Sequence, residues 1–467
     1  MKRLLIALGA LCLLALSVSG IALVVRSQQR QAAARRFIDA GPANLAREEA
    51  AARREGIPLT AQELQKPLPP PDQNAAPLYT KLTKLLHDKP LGLPKYAEGM
   101  DAFHAYTPAQ IAAVRRTLVA RQDVMALVHQ AADKPQCVFV RDWNKGVDLE
   151  FPEYQLMREA ARLIKTESYL LARDGHFGEA ITNQARGFRV AEHAASDPAL
   201  ISYLVGNSSE TITLAGMQSI LALAGADAAA IWQVQQSTRS EFAPLPLRAP
   251  LANEAAAMEP IFRQLHQGQH QGIQWFSSSL ENLTSGKRIA FDPQRSVKPV
   301  SPAEEKLVSD TIDAQQANYL SDVRRMVAAV DAPTKERRAV YASLLDASAP
   351  SARNGARTMS FILLPDGQKL DEDDLRLKAR KVVTLAAASL LAEKAKAGAF
   401  SATLPLGFTD PFTNKPLGYR REGVGFVVYS AGPTGHFDGG RPGEKVSGQE
   451  SAFRYPAVPV PVPKDIK

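Results

Sequence analysis

Residues 153–173, EYQLMREAARLIKTESYLLAR, lead through Asp174-Gly175-His176 into residues 177–195, FGEAITNQARGFRVAEHAA, and these two stretches decide the fold class. In the first, Leu156, Met157, Ala160, Leu163, Ile164 and Leu171 recur close to the helical period, so they share one face. In the second, Ile181, Ala185 and Phe188 do the same. Asp174-Gly175 turns the chain, so the two apolar stripes can meet as an antiparallel helix pair.

The same pattern continues on both sides. Upstream, Ala75–His87 and Pro108–Ala132 read as helices, the second with Thr107 as cap, Pro108 at the first helical position and an apolar face from Ile111 to Val128. Cys137–Val140 reads as a short strand or an extended loop. Downstream, Pro198–Ala224 is a long apolar helix, and Asp227–Phe242 begins another that Pro244 and Pro246 end. Further helices are predicted at Asn253–Leu265, Gln274–Leu283, Ala303–Val330 and Thr334–Leu345. A last helix spans 371–397, with Asp371 as cap, Glu372, Asp373 and Asp374 at its positive end, Lys394 and Lys396 at its negative end, and Gly398 as stop.

Leu4–Val25 contains no charged residue and spans about 33 Å as a helix, enough to cross a bilayer. A cleaved signal peptide is the rival, with Ser17-Val18-Ser19 before Gly20 as the cleavage site. The apolar run continues through Val25, which favours retention as an anchor. Lipidation of Cys12 is rejected, because Leu11 stands where a small residue is needed. A short basic tail stays in the cytoplasm, so the body is expected on the periplasmic side of a bacterial inner membrane.

The chain therefore reads as mainly α: an N-terminal transmembrane helix, an all-α body of antiparallel helix pairs, and a small C-terminal helix plus β-hairpin module. Its divisions are an anchor with basic flanks (1–36), a stalk and Pro-rich linker (37–74), the helical body (75–365), the helix-plus-hairpin module (366–445) and a Pro-rich tail (446–467). At 45% hydrophobic and 22% charged residues the chain is composed like a folded protein.

The formal charge of +8 does not point to nucleic acid. Six of the charges, Lys2, Arg3, Arg26, Arg30, Arg35 and Arg36, lie in residues 1–36 without an acid, leaving +2 for the rest. They flank the apolar run, where lipid headgroups would meet them, and no basic stripe interleaved with aromatics marks the body. The bilayer, through residues 4–25, and an envelope protein are the partners expected, and nucleic acid is not.

Several residue clusters have the composition of a chemical site. Tyr203, Asn207 and Glu210 stand on neighbouring turns of the apolar helix, beside Ser208, Ser209 and Thr211. This polar island is either a helix end facing water or, if buried, a site in which Glu210 needs partners or a raised pKa. His266 and His270 have the spacing of a metal pair, but Gly268 and Gly272 weaken the helix that would align them, so they read as exposed turn residues. His193 reads as a helix-surface residue and Cys137 as a small buried apolar group. No nucleophile elbow, phosphate loop, dinucleotide fingerprint or zinc-protease motif is found, and no catalytic residue is assigned.

Leu170–Ile181 resembles the turn of a tetratricopeptide repeat, but nothing similar recurs at the ~34-residue period of such arrays. A second resemblance covers about 70 C-terminal residues. Leu417–Arg421 and Phe426–Ser430 flank Glu422-Gly423-Val424-Gly425 as a β-hairpin. With the helix 371–397, Thr409–Leu417 and Tyr429–Gly440, they resemble the globular tail of type II secretion major pseudopilins. That resemblance implies an extracytoplasmic place and a calcium ion in the terminal loop, near Asp438. Thr434 stands where the family commonly has an acid, and Asp438 and Glu444 are few ligands for a cation wanting about 6–8 oxygens. The family's N-terminal processing signal is absent from Met1–Leu8, so pilin-like self-assembly is not implied. The anchor, Gly56–Thr60, Asn74–Tyr79 and the tail together resemble an uncharacterised family of membrane-anchored bacterial proteins, which implies a location and no activity.

The reading that follows is a non-enzymatic, single-pass inner-membrane protein whose helical body binds or scaffolds another protein in envelope assembly or secretion. The alternative is a membrane-tethered hydrolase acting on an envelope polymer.

Overall fold

A computed structural model describes residues 32–33, 35–225, 227–241, 245–269, 272–273, 301–348, 357–437 and 451–461. The helices, in chain order, are α1 (Gly41–Arg54), α2 (Ala76–Asp88), α3 (Pro108–Ala120), α4 (Gln122–Ala132), α5 (Glu153–Arg173), α6 (Phe177–Ala194) and α7 (Leu200–Ala224). They continue with α8 (Ala228–Glu241), α9 (Arg248–Ala257), α10 (Glu259–His266), α11 (Pro302–Ala329), α12 (Thr334–Ser348), α13 (Thr358–Leu363) and α14 (Gly367–Ala397). The strands are β1 (His104–Ala105), β2 (Gly418–Glu422), β3 (Gly425–Tyr429), β4 (Ala452–Tyr455) and β5 (Val460–Pro461). The protein is mainly helical with a small antiparallel sheet.

Helices α5, α6 and α7 pack as a three-helix bundle, each against the other two. Gly175 makes the α5–α6 turn at φ +85°, a conformation that a side chain resists. At Gly206, α7 comes so close to α6 that a Cβ would lie 2.9 Å from the Ala191 carbonyl oxygen and 2.7 Å from the Ala195 Cβ. One apolar cluster joins Phe188, Met217, Ile231, Leu390, Phe426 and Phe453, so α6, α7, α8, α14 and the sheet share a core. A second surrounds α11 through Ile312, Tyr319, Leu320 and Met326, with Leu251 of α9 and Phe262 of α10. A third fills the space between α2, α4 and α5 with Tyr79, Leu82, Val128, Met157 and Ile164.

Thr107 caps α3 as expected, and Gln110 completes a capping box: the Gln110 N–H donates to Thr107 Oγ1 at 3.2 Å and the Thr107 N–H to Gln110 Oε1 at 2.9 Å. The start of α14 requires a correction. Asp366, not Asp371, is the cap and accepts the Lys369 N–H at 3.1 Å, so the helix begins about a turn earlier than the acidic run suggests. Asp371, 1% exposed, faces inward instead, where Arg337 and Arg338 of α12 both donate to it.

The residues read as a stalk are packed against the body. Helix α1 lies along α11, and Arg324 of α11 forms ion pairs with Glu48 and Glu55. Lys66–Pro71, as successive prolines require, is not helical apart from the turn at Pro71.

The expected hairpin is present, with Gly418 opposite Tyr429 and Glu422 opposite Gly425. It gains a third strand from the segment read as a Pro-rich tail: β4 pairs antiparallel with β3, Phe426 opposite Tyr455, giving the order β2-β3-β4. All five residues of β3 are buried, because β2 and β4 cover its edges and α14 lies on its face. Farther on, β5 pairs in parallel with β1, placing Val460 beside His104. The anchor Leu4–Val25 and the helix Gln274–Leu283 lie outside the described residues. Among those described, no helix is long and apolar enough to cross a membrane.

Candidate functional site

Two regions concentrate polar chemistry. The first is an open cleft of about 330 Å³ where the Pro-rich linker crosses the end of α6, lined by Lys66, Pro67, residues 135–138, Glu192, His193 and Ser196. Its outer wall is extended backbone held by Asn74, whose Oδ1 accepts the Val138 N–H at 2.9 Å while its Nδ2 donates to the Val138 carbonyl at 3.0 Å. Cys137–Val140 is thus a loop, fixed by a side chain rather than by strand pairing. Lys66 closes one end by donating to the Ser196 carbonyl.

The groups that look reactive in this cleft are quiet. His193 is 2% exposed, not a helix-surface residue, because Tyr79 and Lys134 enclose it. The Lys134 carbonyl can only accept, so Nε2 carries the proton (2.9 Å) and Nδ1 accepts from the Tyr79 hydroxyl (3.1 Å). Burial lowers the His193 pKa to about 4, and both ring nitrogens are occupied. Cys137, 3% exposed, matches its reading as a buried apolar group. Burial, with a contribution from Asp197, pushes its thiol well above the usual range, so little thiolate forms.

Beneath the cleft, Asp197 accepts from Arg141 Nε at 3.1 Å and from the Tyr154 hydroxyl at 2.9 Å, and Arg141 Nη1 donates to Glu153 at 3.1 Å. The Arg141 guanidinium lies over the Phe139 ring at 4.4 Å. This network fastens the outer wall to α5 and to the turn after α6. The polar side chains of the lining are engaged within the fold: Lys66 with the Ser196 carbonyl, Glu192 with Arg189, and Ser196 Oγ with the His193 carbonyl at 2.7 Å.

The second region is the polar island, and it does not face water. Asn207 and Glu210 are 7% and 3% exposed, enclosed by α14. Glu210 forms an ion pair with Lys381, whose side chain is only 7% exposed. Tyr203 donates to Asp374 Oδ1 at 3.2 Å, and Asp374 also accepts from Lys378 at 2.7 Å. Two turns on, Gln218 donates to Thr384 at 3.0 Å. Burial raises the Glu210 pKa against the pull of Lys381. Tyr203, Asn207 and Glu210 therefore share one seam between α7 and α14, where α14 supplies the polar partners of Tyr203 and Glu210.

Of the remaining candidates, His266 is exposed at the end of α10 and contacts Gln316 at 2.7 Å, while His270, Asp438 and Glu444 lie outside the described residues. Among the described residues, no group of histidine, cysteine, aspartate and glutamate is placed to hold a metal ion. The segments 409–417 and 429–437 meet at Asp410. Asp410 is fully buried and accepts from the Phe412 N–H (3.1 Å), Thr413 Oγ1 (3.0 Å), Ser430 Oγ (2.9 Å) and the Ala431 N–H (3.0 Å). With four donors satisfied inside the fold, Asp410 fixes this loop to the hairpin.

Comparison of the chain with known protein families, curated proteins and solved structures finds no match.

Proposed function

We propose that this chain is a single-pass inner-membrane protein, anchored through residues 4–25, whose periplasmic helical body binds another envelope protein during envelope assembly or secretion. The observation that supports this reading is the open cleft bordered by two extended segments, each bearing an exposed apolar side chain: Leu68 at 57% and Val140 at 76%. Exposed apolar side chains on both borders of an open cleft give a partner's segment apolar area to cover on binding. The quiet state of His193 and Cys137 suits a surface that binds without reacting.

A photo-crosslinking residue at position 68 or 140, activated in intact cells and followed by mass spectrometry, tests the reading. The expected outcome is one recurrent envelope protein captured from both positions and not from an equally exposed control at Val424. Capture of nothing specific from either position would remove the cleft as a docking surface.

A further inference from the structure

Glu254 lies in α9 and is 8% exposed, yet its carboxyl meets no cation among the described residues. Its Oε1 accepts the backbone N–H of Leu200 at 3.0 Å. That N–H opens α7, whose cap residue, Ala199, has no side-chain acceptor for the first turn. A carboxyl from another helix therefore does the capping. Of the ionisable groups on the neighbouring turns and on α10, Glu63 accepts from the Leu59 and Thr60 amides, Glu259 pairs with Arg263, and Lys145 and Asp148 are exposed. From α11, Tyr319 donates its hydroxyl to the Glu254 backbone carbonyl at 3.1 Å. The turns at Ala61–Leu64 and Trp143–Asp148 meet α9 through Ala61, Leu64 and Trp143 against Ala256 and Ala257. One amide donor does not replace the hydration that an ionised carboxylate loses in such a setting.

We propose that Glu254 is a proton-operated latch: with its carboxyl protonated, residues 248–266 stay seated on the first turn of α7, and ionisation favours opening of that junction. Burial raises the Glu254 pKa from 4.5 to about 7, outweighing the Leu200 amide, which favours the charged form. An opened junction restores the ordinary acidity. Between these values the closed form binds more protons than the open one, so closure weakens as pH rises through the window and changes no further above it.

Amide hydrogen exchange on the full chain in detergent tests this at residues 200–204 and 248–266, after correction for the intrinsic rate. The opening constant is expected to rise about tenfold per pH unit between about 4.5 and 7 and then level off. In Glu254→Gln the slope is expected to vanish, while amides in the middle of α5 behave alike in both proteins. An equal slope in Glu254→Gln, or no slope in the native chain, would overturn the proposal. Should the variant not fold, a carbon-13 titration of the native Glu254 carboxyl decides: a midpoint near 7 supports the latch and one near 4.5 refutes it.

Discussion

Lys381 and Glu210 leave water together, and their pairing offsets part of what burial costs each charge. Removing one partner strands a buried charge, so Lys381→Met is expected to destabilise the protein by about 3–5 kcal/mol in urea titrations. Adding Glu210→Leu should recover most of that loss, since an apolar pair of similar volume dispenses with both desolvation penalties. A single variant within about 0.5 kcal/mol of the native chain would show that the pair is solvated after all. The polar half of this seam is visible in the sequence, as Tyr203, Asn207 and Glu210 interrupt an apolar helix. Its basic half is not, because Lys381 belongs to a distant helix whose facing direction depends on tertiary packing. His193 fails for the same reason: local periodicity contains no sign of Tyr79 or of the Lys134 carbonyl.

At the level of elements, the α5–α6 hairpin was legible because both its helices and its turn are encoded within about 40 adjacent residues. Intimate contact between α6 and α7 depends on a missing side chain. Gly206→Ala would place a methyl against the Ala191 carbonyl and the Ala195 Cβ. Overpacking of this kind costs about 1–3 kcal/mol, and it outweighs the gain in helix propensity of up to about 1 kcal/mol. Thermal unfolding with a raised midpoint would mean that the helices can move apart freely. The start of α14 was misplaced because acidic residues crowd its second turn, whereas Asp371 is there to bind two arginines of α12. Strand β4 was missed because four residues, Ala452–Tyr455, in a proline-rich setting carry almost no periodic signal; β3 makes them a strand.

For the whole molecule, the C-terminal return of the chain is structural. Phe453 is 1% exposed and packs with Phe426 and with residues of α14 in the shared core. Ending the chain at residue 450 would remove β4, uncover one edge of β3 and withdraw that ring, whose loss alone is worth about 3–5 kcal/mol. Limited proteolysis should then cut within 418–429 at protease levels that leave the native chain whole. Unchanged resistance would show that β4 only decorates the sheet.

The seating of α1 along α11 also sets a reach. With Gly41 pressed against Ala314, only residues 26–40 separate the proposed anchor from the folded mass, at most about 50 Å of chain. Under the proposed anchoring, a body on so short a leash would meet only what stands close to the lipid surface, and would present itself there at high local concentration. Its affinity for a neighbour could be modest and the encounter still frequent.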